Sequence, residues 1–225
     1  MELRAFHNKQ SIKDFYVERV QRHFDADEII KGVYWEKGRG CGVGCTIESS
    51  ENPHQKFEDE LGISRTIAKL EDRLFEGLTN GDAKKFPVRF LEAVNVGADL
   101  SMVVPKFMVW MLSDKKDGVL KSASKDGKKI IKKIVKLYKK QISGGIVTQS
   151  EWIAVSGEAW VVRRAAYADA YASVAAYAAA YASAAAYAAA DAYAYAYAYA
   201  DADSRNLHYK KMADHLIQIL KETKS

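Results

Sequence analysis

The sequence predicts an all-α protein: a compact helical body joined to a long alanine/tyrosine-rich helix or helix pair, with one small β-hairpin near residues 32–47. Three observations predict it. Residues 165–203 read AAYADAYASVAAYAAAYASAAAYAAADAYAYAYAYADAD, with no glycine, proline or basic residue. Alanine has the highest intrinsic helix propensity, and summed over such a run the preference is strong. Apolar residues recur at helical spacing in two further stretches, Ile67, Leu70, Leu74, Phe75 and Leu78, and Ile130, Ile131, Ile134, Leu137 and Tyr138. Helix-boundary residues punctuate the rest of the chain.

The elements follow in order. Residues 11–31 read as a helix, with Ser11 placed to cap it and Phe15, Val17, Val20 and Phe24 as its apolar positions. GVYWEKGRGCGVGCTI, residues 32–47, is glycine-punctuated and reads as a loop or short hairpin. Asn52-Pro53 opens a short helix that Gly62 closes, and Ser64 opens another that ends at Thr79-Asn80-Gly81. A helix over 83–94 tolerates Pro87 only in its first turn. ADLSMVVPKFMVWMLSD reads as a buried helix centred on Phe107 and Trp110, with Pro105 in its first turns. A lysine-rich helix spans 127–142 and Gly144-Gly145 breaks it. Thr148 with Glu151 forms a capping-box pattern that opens the helix leading into the tyrosine run. An amphipathic helix over 204–222 carries Leu207, Leu216, Ile217 and Leu220.

At 100° per residue, Tyr167, Tyr171, Tyr177, Tyr181, Tyr195 and Tyr199 fall on one sector of about 120°, with Asp169, Ser173, Ser183, Asp191 and Asp201 opposite. That is an aromatic stripe suited to interlocking with other helices of the molecule, or to an interface with a partner or a second copy. The alternation from Tyr193 to Tyr199 would also suit a strand, but alanine does not favour strands. Asp169 and Asp191 argue against a membrane span. An unbroken helix from Thr148 to Asp203 would run about 80 Å, so a bend is expected near Gly157 or at 201–204. The division expected is 1–145, a helical body with the glycine-rich loop at 36–47, and 146–225, the alanine/tyrosine-rich region.

The net charge of +5 is unevenly spread. The tyrosine run carries four Asp and no base, whereas residues 115–140 carry eleven Lys against two Asp. Lysines in that number can contact phosphates of nucleic acid or a lipid surface, or simply form a solvated face, which is the reading preferred from sequence. Two cysteines are too few for a disulfide framework, and no basic–apolar leader opens the chain, so a soluble cytoplasmic protein is expected.

Cys41, Cys45, His54 and Glu58 lie within eighteen residues. They could supply four ligands to zinc, or Cys45 could act as a nucleophile with His54 as base and Glu58 orienting it. Gly40, Gly42 and Gly44 could turn backbone N–H groups towards an anion, with Lys37 and Arg39 beside them. Each reading stands against a structural one, in which the glycines build a turn and the cysteines fill buried space.

KGRGCGVGCT, FEDELGISRTIAKLEDRLFEGL, VGADLS, the SEW entry to the alanine run and KKMADHLIQIL resemble, in this order, an uncharacterised family of bacteriophage and prophage proteins. Ser64 stands where such proteins usually carry proline. The alanine-rich C-terminal part is similar to that of putative immunity proteins. The resemblance implies a mobile-element setting but no catalytic residue. The function expected is a non-enzymatic accessory binding protein, in immunity or counter-defence, that engages a host or defence protein or sequesters a small anionic ligand. The alternatives are a cysteine- or zinc-dependent hydrolase and a self-assembling structural protein.

Overall fold

The computed structural model describes residues 3–165 and 202–225, with side chains described through residue 159 and again from 205. The tyrosine stripe lies outside the described residues; of the two expected bend positions, Gly157 falls within a helix that runs without interruption from Gln149 to Ala165, and 201–204 borders the residues that are not described. Among those described, the fold is all-α with one two-stranded hairpin. It divides into two units, residues 1–103 with 202–225, and residues 104–201. The C-terminal helix therefore groups with the N-terminal hundred residues, a different division from the one expected at residue 145.

The first unit contains α1 (Gln10–Asp25), β1 (Trp35–Glu36), β2 (Arg39–Gly40), α2 (Gly42–Ile47), α3 (Pro53–Leu61), α4 (Arg65–Gly77), α5 (Asn80–Ala93) and the last helix, α9 (Ala202–Glu222). Helix α1 ends six residues before the sequence pattern suggested, because Asp27 turns left-handed (φ 56°) and the Glu28 N–H returns to the His23 carbonyl at 2.9 Å. The hairpin pairs Trp35 with Gly40 and Glu36 with Arg39. Lys37 and Gly38 both take positive φ, as a two-residue turn between right-twisted strands requires.

Helix α2 was not expected. It is built on GVGCTI, every residue of it is buried, and it packs against α1, α3, α4 and α5. Glycine disfavours a helix interior, so tertiary burial rather than propensity places it. Around it lie Phe57, Phe75, Phe86, Phe90, Leu61, Leu70 and Leu74, all fully buried. Ser64 caps α4 by accepting the Ile67 N–H, and Gly62 ends α3 in the left-handed conformation, as expected. Helix α5 begins three residues earlier than expected, capped by Thr79, which places Pro87 in its interior rather than its first turn. Helix α9 lies against α4 and α5. The approach is close: a methyl group on Gly77 would come within 1.9 Å of the Tyr209 ring.

The second unit contains α6 (Val103–Ser113, shared at its first residue with the other unit), α7 (Lys125–Ile142) and α8 (Gln149–Ala165). Pro105 sits in the first turn of α6, where its missing N–H has no intrahelical partner to lose. Ser124 caps α7. The capping box of α8 is reciprocal: Thr148 N–H donates to Glu151 Oε2 at 2.8 Å, and Glu151 N–H donates to Thr148 Oγ1 at 3.3 Å. Helices α7 and α8 pack through Tyr138 and Trp152, ring centroids 4.9 Å apart. No helix among the described residues is long and apolar enough to cross a membrane.

Candidate functional site

The sequence candidates gather around the hairpin and α2, but in a different arrangement from the one their spacing suggested. Gly40, Gly42 and Gly44 are buried and serve close packing. A side chain at Gly40 or Gly44 would meet the Tyr34 carbonyl oxygen at 1.9 or 1.4 Å, and one at Gly42 would meet Glu71 Oε1 and Pro87 Cγ at 2.6 Å. The Gly40 N–H donates to the Glu28 carbonyl and the Cys41 N–H to the Val33 carbonyl. These groups face the protein, and Lys37 and Arg39 stand exposed on the turn and the strand beside it. The stretch is a packed joint rather than an open anion cradle.

The cysteines are likewise internal. Cys41 caps α2, its sulfur accepting the Gly44 N–H at 3.4 Å. Cys45 donates its thiol hydrogen to the Gly40 carbonyl at 3.3 Å. Burial pushes the Cys45 thiol up to about 12 and raises that of Cys41 further, so both stay protonated and non-nucleophilic at neutral pH. His54 does not meet Cys45 or Glu58. Its Nε2 lies 3.2 Å from Asp72 Oδ2, which also accepts the Tyr34 hydroxyl at 3.1 Å, and the two rings stand perpendicular at 5.5 Å. Glu58 instead accepts the Arg65 N–H at 2.8 Å and pairs with its guanidinium. Among the described residues no group of three His, Cys, Asp or Glu side chains is placed to hold a metal ion. The quartet Cys41, Cys45, His54 and Glu58 thus forms neither a ligand set nor a nucleophile–base pair.

Two buried polar features escaped sequence reading. Glu71 is 1% exposed and neither carboxyl oxygen has a hydrogen-bond partner among the described residues. Desolvation, then the charges of Asp72 and Glu76, raise its pKa well above the ordinary carboxylate range. The signal was present, since Glu71 lies four residues after Ile67 and three before Leu74, within the apolar stripe of α4. His23 is also buried, between Glu28 at 2.6 Å and Glu48 at 3.1 Å, with the Trp35 ring against it. It ties the hairpin to α1. Both features lie in the interior of the first unit.

The second unit carries the open surface. Helix α7 buries Ile130, Ile131, Ile134, Val135, Leu137 and Tyr138 on one side and turns eight lysines to the other. Lys129 pairs with Asp126, Lys133 with Glu158 and Lys140 with Glu151. Glu151 is held down to about 2 by the Lys140 hydrogen bond and by the Thr148 N–H. The side chains of Lys128, Lys132, Lys136 and Lys139 make no ion pair or hydrogen bond among the described residues. At 100° per residue these four fall within about 80° of one another, a single row down the helix.

A groove lies on each side of the row. One, of about 680 Å³, is lined by Lys133, Lys136, Lys139 and Lys140 with Glu151 and Val155 of α8. The other, of about 380 Å³, is lined by Lys132, Lys136 and Lys139 with Ser113 and Leu120. Ammonium groups crowded in excess of the carboxylates beside them concentrate anions from solution and gain by exchanging them for a polyanion.

Comparison with known proteins finds no matching family model, no similar curated protein and no similar solved structure.

Proposed function

We propose that this is a non-enzymatic binding protein whose ligand is a polyanion, held on the lysine row of α7. The observation that carries the reading is the row itself: four lysines whose side chains meet no carboxylate among the described residues, on one face, between two open grooves. This keeps the expectation of a binder and moves its anionic ligand from the glycine hairpin to the second unit. The preference for a merely solvated face gives way because a solvated helix gains from alternating charge signs, whereas α7 carries eight Lys and one Asp. The cysteines and the His54–Asp72 pair act as interior joints in this reading, holding the hairpin on α2 and α4.

The test is retention on immobilised heparin. The protein is expected to elute well above physiological salt, and Lys132→Glu with Lys136→Glu is expected to elute much earlier while leaving the circular dichroism spectrum unchanged. Elution of the unaltered protein at or below physiological salt refutes the proposal. So does an unaltered elution point for the double variant.

A further inference from the structure

Resting on that reading, we infer that the polyanion is duplex nucleic acid, gripped through its phosphates without reading of the bases. Three properties of the surface select it. The first is the kind of cation. Helix α7 has eight lysines and no arginine, and lysine is a hydrated point charge that lacks the planar fork used for bidentate contact with guanine edges. The second is the lack of a stacking platform among the described residues. Neither groove is lined by an aromatic ring, and Tyr138 and Trp152 are buried against each other. Single-strand binders depend on exposed rings for base stacking, so this surface offers a loose strand only its charge. The third is geometry. Lys128 to Lys139 spans about 16 Å of rigid helix. That reaches across a major groove about 12 Å wide, so a straight row can meet phosphates of both strands of a stiff, densely charged duplex. A lipid surface fits less well, because the apolar side of α7 is buried within its own unit and cannot insert between acyl chains.

Fluorescence anisotropy with the full chain tests this, using two duplexes of unrelated sequence, one of the corresponding single strands, heparin as competitor, and vesicles containing phosphatidylserine. Both duplexes are expected to bind within about twofold of each other and more tightly than the single strand. Four phosphate contacts give a slope of log Kobs against log salt of about −3 to −4. Lys132→Glu with Lys136→Glu should bring that slope closer to zero by about 2, and Lys132→Gln with Lys136→Gln should do the same without charge reversal. A preference for one duplex sequence or for the single strand overturns the inference, as does a salt slope that neither double variant changes. Binding to heparin or to the vesicles, but not to either duplex, overturns it and leaves the polyanion reading standing. Binding to none of the five overturns both.

Discussion

Gly44 has no room for a single added carbon. A methyl there would stand 1.4 Å from the Tyr34 carbonyl oxygen, a backbone atom fixed by the hairpin. Gly44→Ala should therefore cost about 3 kcal/mol or more, as overpacking against immovable backbone does. Gly81, in the first turn of α5, has open space around it, and Gly81→Ala should gain up to about 1 kcal/mol by restricting the unfolded chain. Denaturant melts of the two variants side by side check the contrast. Glu71 makes a second residue-scale prediction. Its raised pKa means that the folded state keeps a proton which the unfolded state releases above about 4.5. Stability is then complete below that pH and falls as pH rises towards the folded-state value, by up to about 1.4 kcal/mol per unit. Glu71→Gln should remove this slope as pH rises above about 5, and parallel melting profiles for the two proteins would contradict the assignment. How much of these sites the sequence disclosed depends on distance along the chain. Ser64, Gly62 and the Thr148–Glu151 box were legible because a cap acts within four residues. The partner of His54 was not, because Asp72 comes eighteen residues later, through the packing of α3 on α4, and spacing alone offered Glu58.

At the scale of elements, α7 and α2 are opposite cases. The pattern of α7 was plain, since isoleucines at helical spacing and lysines between them permit little else, and the structure extends it by two residues to Lys125. Helix α2 was hidden because three of the residues around it are glycines whose absent side chains, not their propensities, let four helices close on it. The lysine row also carries a cost. Lys128, Lys132 and Lys136 repel one another at four-residue spacing, each pair by about 0.3 kcal/mol. Lys132→Glu converts two repulsions into attractions, so it should raise the melting temperature slightly while weakening binding to heparin. A variant that gains stability as it loses ligand separates a binding role from a structural one. The cap of α8 is separable too. Thr148→Ala removes the hydroxyl that accepts the Glu151 N–H, and about 1 kcal/mol of helix stability should go with it, seen as a lower melting temperature.

Across the molecule, charge and burial are segregated. Among the described residues, the buried carboxylates and imidazoles (His23, Glu71, Asp72, His208) are in the first unit, and the unpaired lysine row is in the second. The net charge of +5 therefore understates the field at α7, where eight lysines face one aspartate. Fold class followed from local periodicity, whereas the grouping of α9 with α4 and α5 did not, because no local signal announces which distant helix will cover a face.

That grouping has a consequence for how the protein is made. A ribosome releases α4 and α5 long before it has built α9, with about 100 residues in between. At ordinary elongation rates the interval is about 5–20 s, and throughout it the notch at Gly77 waits for Tyr209. The nascent first unit thus leaves that face of α4 and α5 uncovered for the interval, and arrested chains lacking Ala202–Ser225 should be digested by protease where the finished protein resists.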